Sequence, residues 1–522
     1  MNESDGRRVD ALLACLLLAG ALLHRVPRLD LVPLNADTLG PYLKAWTILS
    51  GGSLLPTPHA PESGPALYWL SALFMWGADS LREVLERRFV FQALAAPAVY
   101  LALASRIGRP GAVVAAAAMA GSVGLSATLE SGYQGYLAPD LGAAVAVCLA
   151  VGLLGGTRAV PIAAALPLVP VAMMCHPFAV ALLPPVVVAS VWAYRADPGG
   201  RRYLAAGLVV AVVLGGVRIA QLLGAPSGEA WTNAVSNASG AGTFDVLTGA
   251  LLALPRQNGA LDTLVLVLPL LVLVMGPTRG TKRLAALYTA GACSLAVAGS
   301  TIGYLQPYHL RILFPLAVVT VVAAAARGLS LPARARPAFV AFVLALLFGS
   351  AWWWSRPLRA ESSPSDLEAH AILYEAVAAD PSAGRWIEFA TVGKRSWGSP
   401  TALVLEAGLR GDDLDAFRRP GPLYLAVAAP SEEASRLDDV PDGAGRTLAA
   451  LDVDRHAPKR VRLVRLDGPS RSVPWTRAAC DGLAPLPLRV ERKSADWLTF
   501  LRPGYTAEFT ARWFDACVGG GE

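Results

Sequence analysis

Residues 65–77 read PALYWLSALFMWG, and whether this run crosses a membrane decides how the rest of the chain is threaded. Bounded by Pro65 and Gly77, it falls short of the roughly 20 apolar residues needed to cross a hydrocarbon layer of about 30 Å. It is also rich in Trp and Tyr, whose amphipathic rings settle at head-group level. Read as a helix lying on the membrane, it leaves Asp79, Glu83 and the group Arg82, Arg87 and Arg88 on the outer side. Read as a crossing, it places them in the cytoplasm and breaks the alternation of basic loops that follows. The first reading is the consistent one, and residues 34–49 join it as a second surface helix in one large first outer loop.

Working outward, the composition demands a membrane protein. Of 522 residues, 54% are hydrophobic and 16% charged, and the mean hydropathy is +0.47, too apolar for a soluble enzyme. The net charge of +6 does not point to nucleic acid. Residues 1–355 carry 23 Lys and Arg against 15 Asp and Glu, whereas 356–522 carry 22 against 24. The excess base therefore sits in the membrane part, where it acts as a topogenic signal. Apolar runs place spans near 9–25, 88–106, 111–129, 138–156, 159–176, 178–194, 203–223, 260–276, 284–303, 309–327 and 337–355, about eleven in all. The run after Arg7 and Arg8 is read as an uncleaved first helix.

Every second connection is basic, from Arg106 and Arg109 through Arg158, Arg201 and Lys282 to Arg334, and these define the cytoplasmic side. The N-terminus is then cytoplasmic, and an odd span count leaves the C-terminus outside, as expected of a multi-pass inner-membrane protein. The expected division is a membrane domain over 1–355 and an extracytoplasmic α/β domain over 356–522. In the latter, RWIEFATVG, TALVLEAG, GPLYLAVAAP, RVRLVRLDG and WLTFLRPG read as strands, with a helix near 365–379. Cys15, Cys148, Cys175 and Cys293 lie in apolar runs and behave as small hydrophobes. Cys480 and Cys517 are left either free or paired, depending on compartment.

The chemistry rests on few residues. Asp37 follows the first span and would sit at the outer water interface; it is either a helix cap or a base able to deprotonate a hydroxyl. On a helix beginning there, Pro41 and Lys44 share its face and Tyr42 is displaced around it. Asp140, after Pro139, raises the same pair of alternatives. Arg218 lies within an apolar span with Gln221 three residues on; a guanidinium at that depth is costly unless it is paired or lines a polar cavity. Arg311 opens a late span on the outer face, suited to hold phosphate oxygens or to snorkel, and His309 stands beside it. His59 and Glu62 offer two scattered ligands, too few to define a divalent metal site.

This arrangement resembles the GT-C superfamily of polyprenyl-phosphate-sugar-dependent glycosyltransferases, in the branch of protein O-mannosyltransferases and lipid A aminoarabinose transferases. Asp37, Tyr42, Ala45 and Gly51 are similar to that family's first motif. Pro65, Leu67, Tyr68 and Trp69 resemble its second surface helix, and YQGYLAPD, holding Tyr133 and Tyr136 and ending at Asp140, resembles its second outer loop. The chain departs from the family at Thr38, where an acid often follows the first one, at Tyr42, one residue late, and at Glu62 to Pro65, where relatives often carry a Lys. The resemblance implies a GT-C-like fold and an enzyme moving a sugar from a polyprenyl-phosphate donor to a hydroxyl of a lipid, glycan or protein, with inversion. It favours Asp37 as the catalytic base; Asp140 is the second catalytic candidate, and Tyr42, Lys44, Glu62, Tyr68, Tyr133, Tyr136, Arg218, His309 and Arg311 are the candidates against substrate. No cofactor is implied beyond the lipid-linked sugar, and no nucleic-acid partner. A flippase for a lipid-linked glycan, or a non-catalytic membrane scaffold, are the competing classes; the absence of a clear repeat between halves weighs against a transporter.

Overall fold

The computed structural model describes residues 3–32, 34, 36–56, 64–122, 137–223, 243–302, 305, 307–328, 365–380, 386–392, 400–412, 423–430, 446–453, 459–466 and 488–490, with short pieces between 334 and 348. It divides into two compact units. The first comprises Met1–Pro27, Thr47–Leu73 and Arg87–Arg356; the second comprises Arg28–Trp46, Phe74–Glu86 and Pro357–Glu522.

The helices of the membrane part are α1 (Glu3–Arg25), α2 (Ala36–Leu49), α3 (Pro65–Met75), α4 (Leu81–Ala93), α5 (Ala95–Ala120), α6 (Ala138–Leu153), α7 (Ala159–Cys175), α8 (Leu183–Ala196), α9 (Arg201–Leu223), α10 (Thr243–Met275), α11 (Arg279–Ile302) and α12 (Phe314–Gly328). Among the described residues, five stretches are long and apolar enough to cross a membrane: Asp5–Asp30, Leu81–Ala120, Pro177–Ala196, Pro198–Gln221 and Arg279–Thr301. At about 1.5 Å per residue, the 11 residues of α3 reach roughly 16 Å, about half the hydrocarbon thickness.

The break expected between 106 and 111 is visible inside α5. Gly108 takes φ 77°, a left-handed conformation that glycine adopts without a Cβ penalty, and Pro110 restarts the helix. Arg109 is pinned there, its Nε donating to Asp10 Oδ1 at 2.6 Å and its Nη2 to the Gly6 carbonyl at 2.8 Å, while the Tyr100 hydroxyl donates to Asp10 at 2.6 Å. This cluster ties α1 to α5, which pack along each other. Further on, α7 packs on α6 and α9, and α12 on α5, α6 and α10. On α9, Leu208, Val209, Val212, Val213 and Ile219 are exposed, as suits a helix facing acyl chains.

Residues 36–46 of α2 belong to the second unit, and every residue from Thr38 to Ala45 is buried. The C-terminal part holds α13 (Asp366–Ala378), β1 (Trp386–Val392), α14 (Pro400–Leu409), β2 (Leu423–Pro430), β3 (Arg446–Val453), β4 (Lys459–Leu466) and β5 (Leu488–Val490) in a sheet ordered β3-β4-β2-β1-β5. β1 and β2 are parallel and joined through α14; β4 is antiparallel to β2 and β3, and β5 to β1. TALVLEAG, expected as a strand, is therefore the crossover helix α14. Its short apolar run fits either state, and a parallel pair needs a long crossover, usually helical. The expected helix near 365–379 is α13, started by a capping box between Ser365 and Glu368. Leu373 and Tyr374 of α13, Leu403 and Ala407 of α14, and the alternating pairs Tyr424/Ala426 and Val461/Leu463 of β2 and β4 form the core. WLTFLRPG lies outside the described residues.

Candidate active site

The site in the first unit is built where helices end. α6 begins at Ala138, which puts Asp140 in its first turn, where a carboxylate is favoured by the helix dipole. Gln92, 2% exposed near the end of α4, donates its Nε2 to Asp140 Oδ2 at 2.8 Å. Arg25 at the end of α1 and Arg88 one turn before Gln92, both buried, act on the same carboxylate electrostatically. Cys175, at the end of α7, also feels the Asp140 charge.

His176 follows and starts a 3-10 turn over Pro177–Leu182, its Nδ1 accepting from the Phe178 backbone N–H at 3.3 Å. An accepting Nδ1 leaves the neutral ring's proton on Nε2. The ring lies 5.3 Å from that of His309, which stacks on Phe178 at 3.8 Å. His309 and Arg311 sit in another 3-10 turn, Pro307–Ile312, just before α12. Sequence alone places Arg311 as the opening residue of the span; the structure puts it in the preceding turn, 5% exposed. Arg311 acts electrostatically on His309. The turn is seated on α6 with no room to spare, because a Cβ at Gly142 would meet the Ile312 carbonyl at 2.4 Å.

A second set adjoins α7 from the other side. Gly64, just before α3, lies so close to Met174 that a Cβ would meet its carbonyl at 2.8 Å. Tyr68 of α3, fully buried, lies near Arg218 of α9. Arg218 donates to Gln221 Oε1, the partner expected from their three-residue spacing, and Gln221 Nε2 donates to the Pro56 carbonyl at 2.9 Å. The first unit therefore seats the turn that carries His309 and Arg311 on α6, whose first turn holds Asp140, and separately sets Tyr68 near Arg218. Arg25, Arg88 and Gln92 join Asp140 without having been singled out from sequence. A signal was present: Val84, Leu85, Arg88, Phe89 and Gln92 form one helical stripe, all buried, so Arg88 and Gln92 are polar residues on an apolar face.

The second unit holds α2. Asp37 is the second residue of that helix, in its first turn and not the cap; its side chain lies outside the described residues. Pro41, without an N–H, cannot donate to the Asp37 carbonyl one turn earlier. Tyr42 is fully buried and Lys44 is 7% exposed, and burial pushes the Lys44 ammonium down to about 8. Glu62, Tyr133 and Tyr136 lie outside the described residues, as does His59. Among the described residues, no three His, Cys, Asp or Glu side chains cluster as a metal site would require.

No family model matches the chain, and no curated protein sequence does. Among solved structures, ArnT from Cupriavidus metallidurans in the apo state aligns at a TM-score of 0.50 and 14% identity, over 88% of this chain and 98% of that one. The same protein bound to undecaprenyl phosphate aligns at 0.49 and 14%, with the same coverage. The arabinofuranosyltransferase AftD from Mycobacteria aligns at 0.35 and 16%, over 81% of this chain and 35% of that one. The chain has an ArnT-like fold, and the resemblance read from its motifs holds at that level.

Proposed function

We propose that this protein is a GT-C glycosyltransferase that moves a sugar from a polyprenyl-phosphate donor to a hydroxyl acceptor on the outer face of the membrane. The observation that carries the reading is the ArnT-like fold, whose first unit holds Arg25, Arg88 and Arg311 buried and Arg218 half-buried. An arginine at membrane depth is costly to bury, and an anionic lipid phosphate is a ligand whose charge and geometry suit a guanidinium. ArnT itself was solved with undecaprenyl phosphate bound, which supports the same donor class here.

In this mechanism Asp37 takes the proton of the acceptor hydroxyl, whose oxygen attacks the anomeric carbon as the bond to the phosphate oxygen breaks. The electron pair leaves on the phosphate, the configuration inverts, and polyprenyl phosphate departs. A phosphate is a good leaving group, so cations suffice where a glycosidase needs a second acid. Arg218 and Arg311 hold the departing charge, with Lys44 and His309 as further contacts. Tyr42, Tyr68, Tyr133, Tyr136 and Glu62 are the further candidates against donor and acceptor, assigned from the sequence alone. Asp140, within the electrostatic reach of Arg25 and Arg88, is the second acid of this proposal. The eleven-span topology, with a cytoplasmic N-terminus and residues 356–522 outside, delivers this site to the outer face.

Purified protein in lipid nanodiscs, given a polyprenyl-phosphate sugar and a hydroxyl acceptor, should release polyprenyl phosphate. Asp37→Asn should lower that release by at least about 10³-fold with folding intact, the scale of losing an essential base. Full activity in Asp37→Asn would remove it as the base. Movement of the intact donor across the bilayer without bond cleavage would identify a flippase instead.

A further inference from the structure

The second unit gathers elements far apart in sequence: 28–46 and 74–86 from the first outer loop, and 357–522. Three contacts within it tie that loop to α13 and α14. At the loop's start, Asp30 Oδ1 accepts from Arg82 Nη2 at 2.9 Å and from the Ser365 hydroxyl at 3.2 Å, and Arg82 also reaches Glu368 at 3.4 Å. At its end, the Leu81 backbone N–H, one of the donors that α4 leaves free at its N-terminus, donates to Glu406 Oε2 at 2.7 Å. The other Glu406 oxygen is held by Arg410 at 2.8 Å, and the Arg410 guanidinium lies over the Tyr374 ring at 4.7 Å. On α2 itself, the Trp46 ring packs against Gly408 so closely that a Cβ there would meet Cζ2 at 2.9 Å and Cη2 at 3.0 Å.

Trp46 and Asp37 are nine residues apart on one helix that runs through Pro41 without a break, a lever of about 14 Å. What fixes one end fixes the other. We infer that the C-terminal domain is a positioning element for the helix that carries Asp37, with Gly408, Trp46 and Glu406 as its positioning residues. The inference rests on the reading of Asp37 as the base. It gives the C-terminal domain a role in the chemical step, distinct from holding an acceptor: misplacing a base by about 1 Å can cost on the order of 100-fold in rate.

The test uses the full chain in nanodiscs. Gly408→Val should push Trp46 away and lower kcat by roughly 10- to 100-fold, with KM for donor and acceptor within about twofold. The double variant Trp46→Phe/Gly408→Val removes the ring atoms that the new side chain strikes, and should recover most of the loss. A second pair guards against a Gly408→Val chain that does not fold: Glu406→Gln keeps one acceptor, enough for the Leu81 N–H, and should lose clearly less kcat than Glu406→Ala. Hydrogen exchange over residues 36–49 and 81–86 is followed in each. An unchanged kcat in both Gly408→Val and Glu406→Ala overturns the inference, and so does a loss confined to acceptor KM. Should the wild-type chain transfer no sugar, the functional reading falls separately. Lost protection of 36–49 in Gly408→Val then still upholds the clamp, and retained protection overturns it.

Discussion

Lys44 shows what a single residue reveals once its surroundings are known. Its spacing from Asp37 is legible in the sequence; its burial is not, because α2 carries too few residues to show which side another part of the chain will cover. With its ammonium lowered from 10.5 to about 8 by burial alone, Lys44 is charged at neutral pH and neutral by pH 9.5. If it holds an anionic donor, donor KM should climb as pH rises from 7 to 9.5, and Lys44→Met should flatten that climb. The linkage sign is independent of function. Between about pH 8 and 10.5 the unfolded chain binds more protons than the folded one, so folding stability rises with pH across that window. The 10.5-to-8 difference corresponds to roughly 3 kcal/mol. Thermal unfolding of wild type and Lys44→Met across that window checks this: the wild type should gain on the variant as pH increases. Gln92 makes the opposite point, since its place on a buried stripe is readable from periodicity, while its hydrogen bond to Asp140 requires knowing that α4 and α6 meet.

At the scale of elements, the membrane helices were largely legible because an apolar run of sufficient length has few alternatives in lipid. The short pieces were not. TALVLEAG suits strand or helix by composition, and the parallel pairing of β1 with β2 decides for helix. The turn at Pro307–Ile312 was hidden for a related reason: HLRILFP reads as the start of a span, and only packing shows that α12 waits until Phe314. That packing supports a prediction. The atom a Gly142 Cβ would strike is the Ile312 carbonyl, part of the backbone and unable to swing aside. Gly142→Ala should therefore displace the turn that carries His309 and Arg311, at a stability cost of about 1–3 kcal/mol and with a several-fold rise in donor KM. A Gly142→Ala protein with wild-type donor KM would separate that turn from donor binding.

For the whole molecule, the parity of the spans carries the largest consequence. Under the proposed eleven crossings the C-terminal domain lies outside, and a reporter fused after Trp354 should be active only there. Activity of a cytoplasmic reporter at the same point would invert the topology and detach the outer-face mechanism from this chain. The clamp at the other end of the protein bears on how that topology is made. Asp10 and Arg109 lie 99 residues apart. A ribosome adding about 5–20 residues per second needs roughly 5 to 20 seconds to supply the guanidinium after the carboxylate. For that interval Asp10 must keep its water at the edge of the bilayer, and the first helix is sealed against its neighbour only once the Gly108 turn has emerged. Translation speed through the first hundred codons thus becomes a determinant of how reliably this protein inserts.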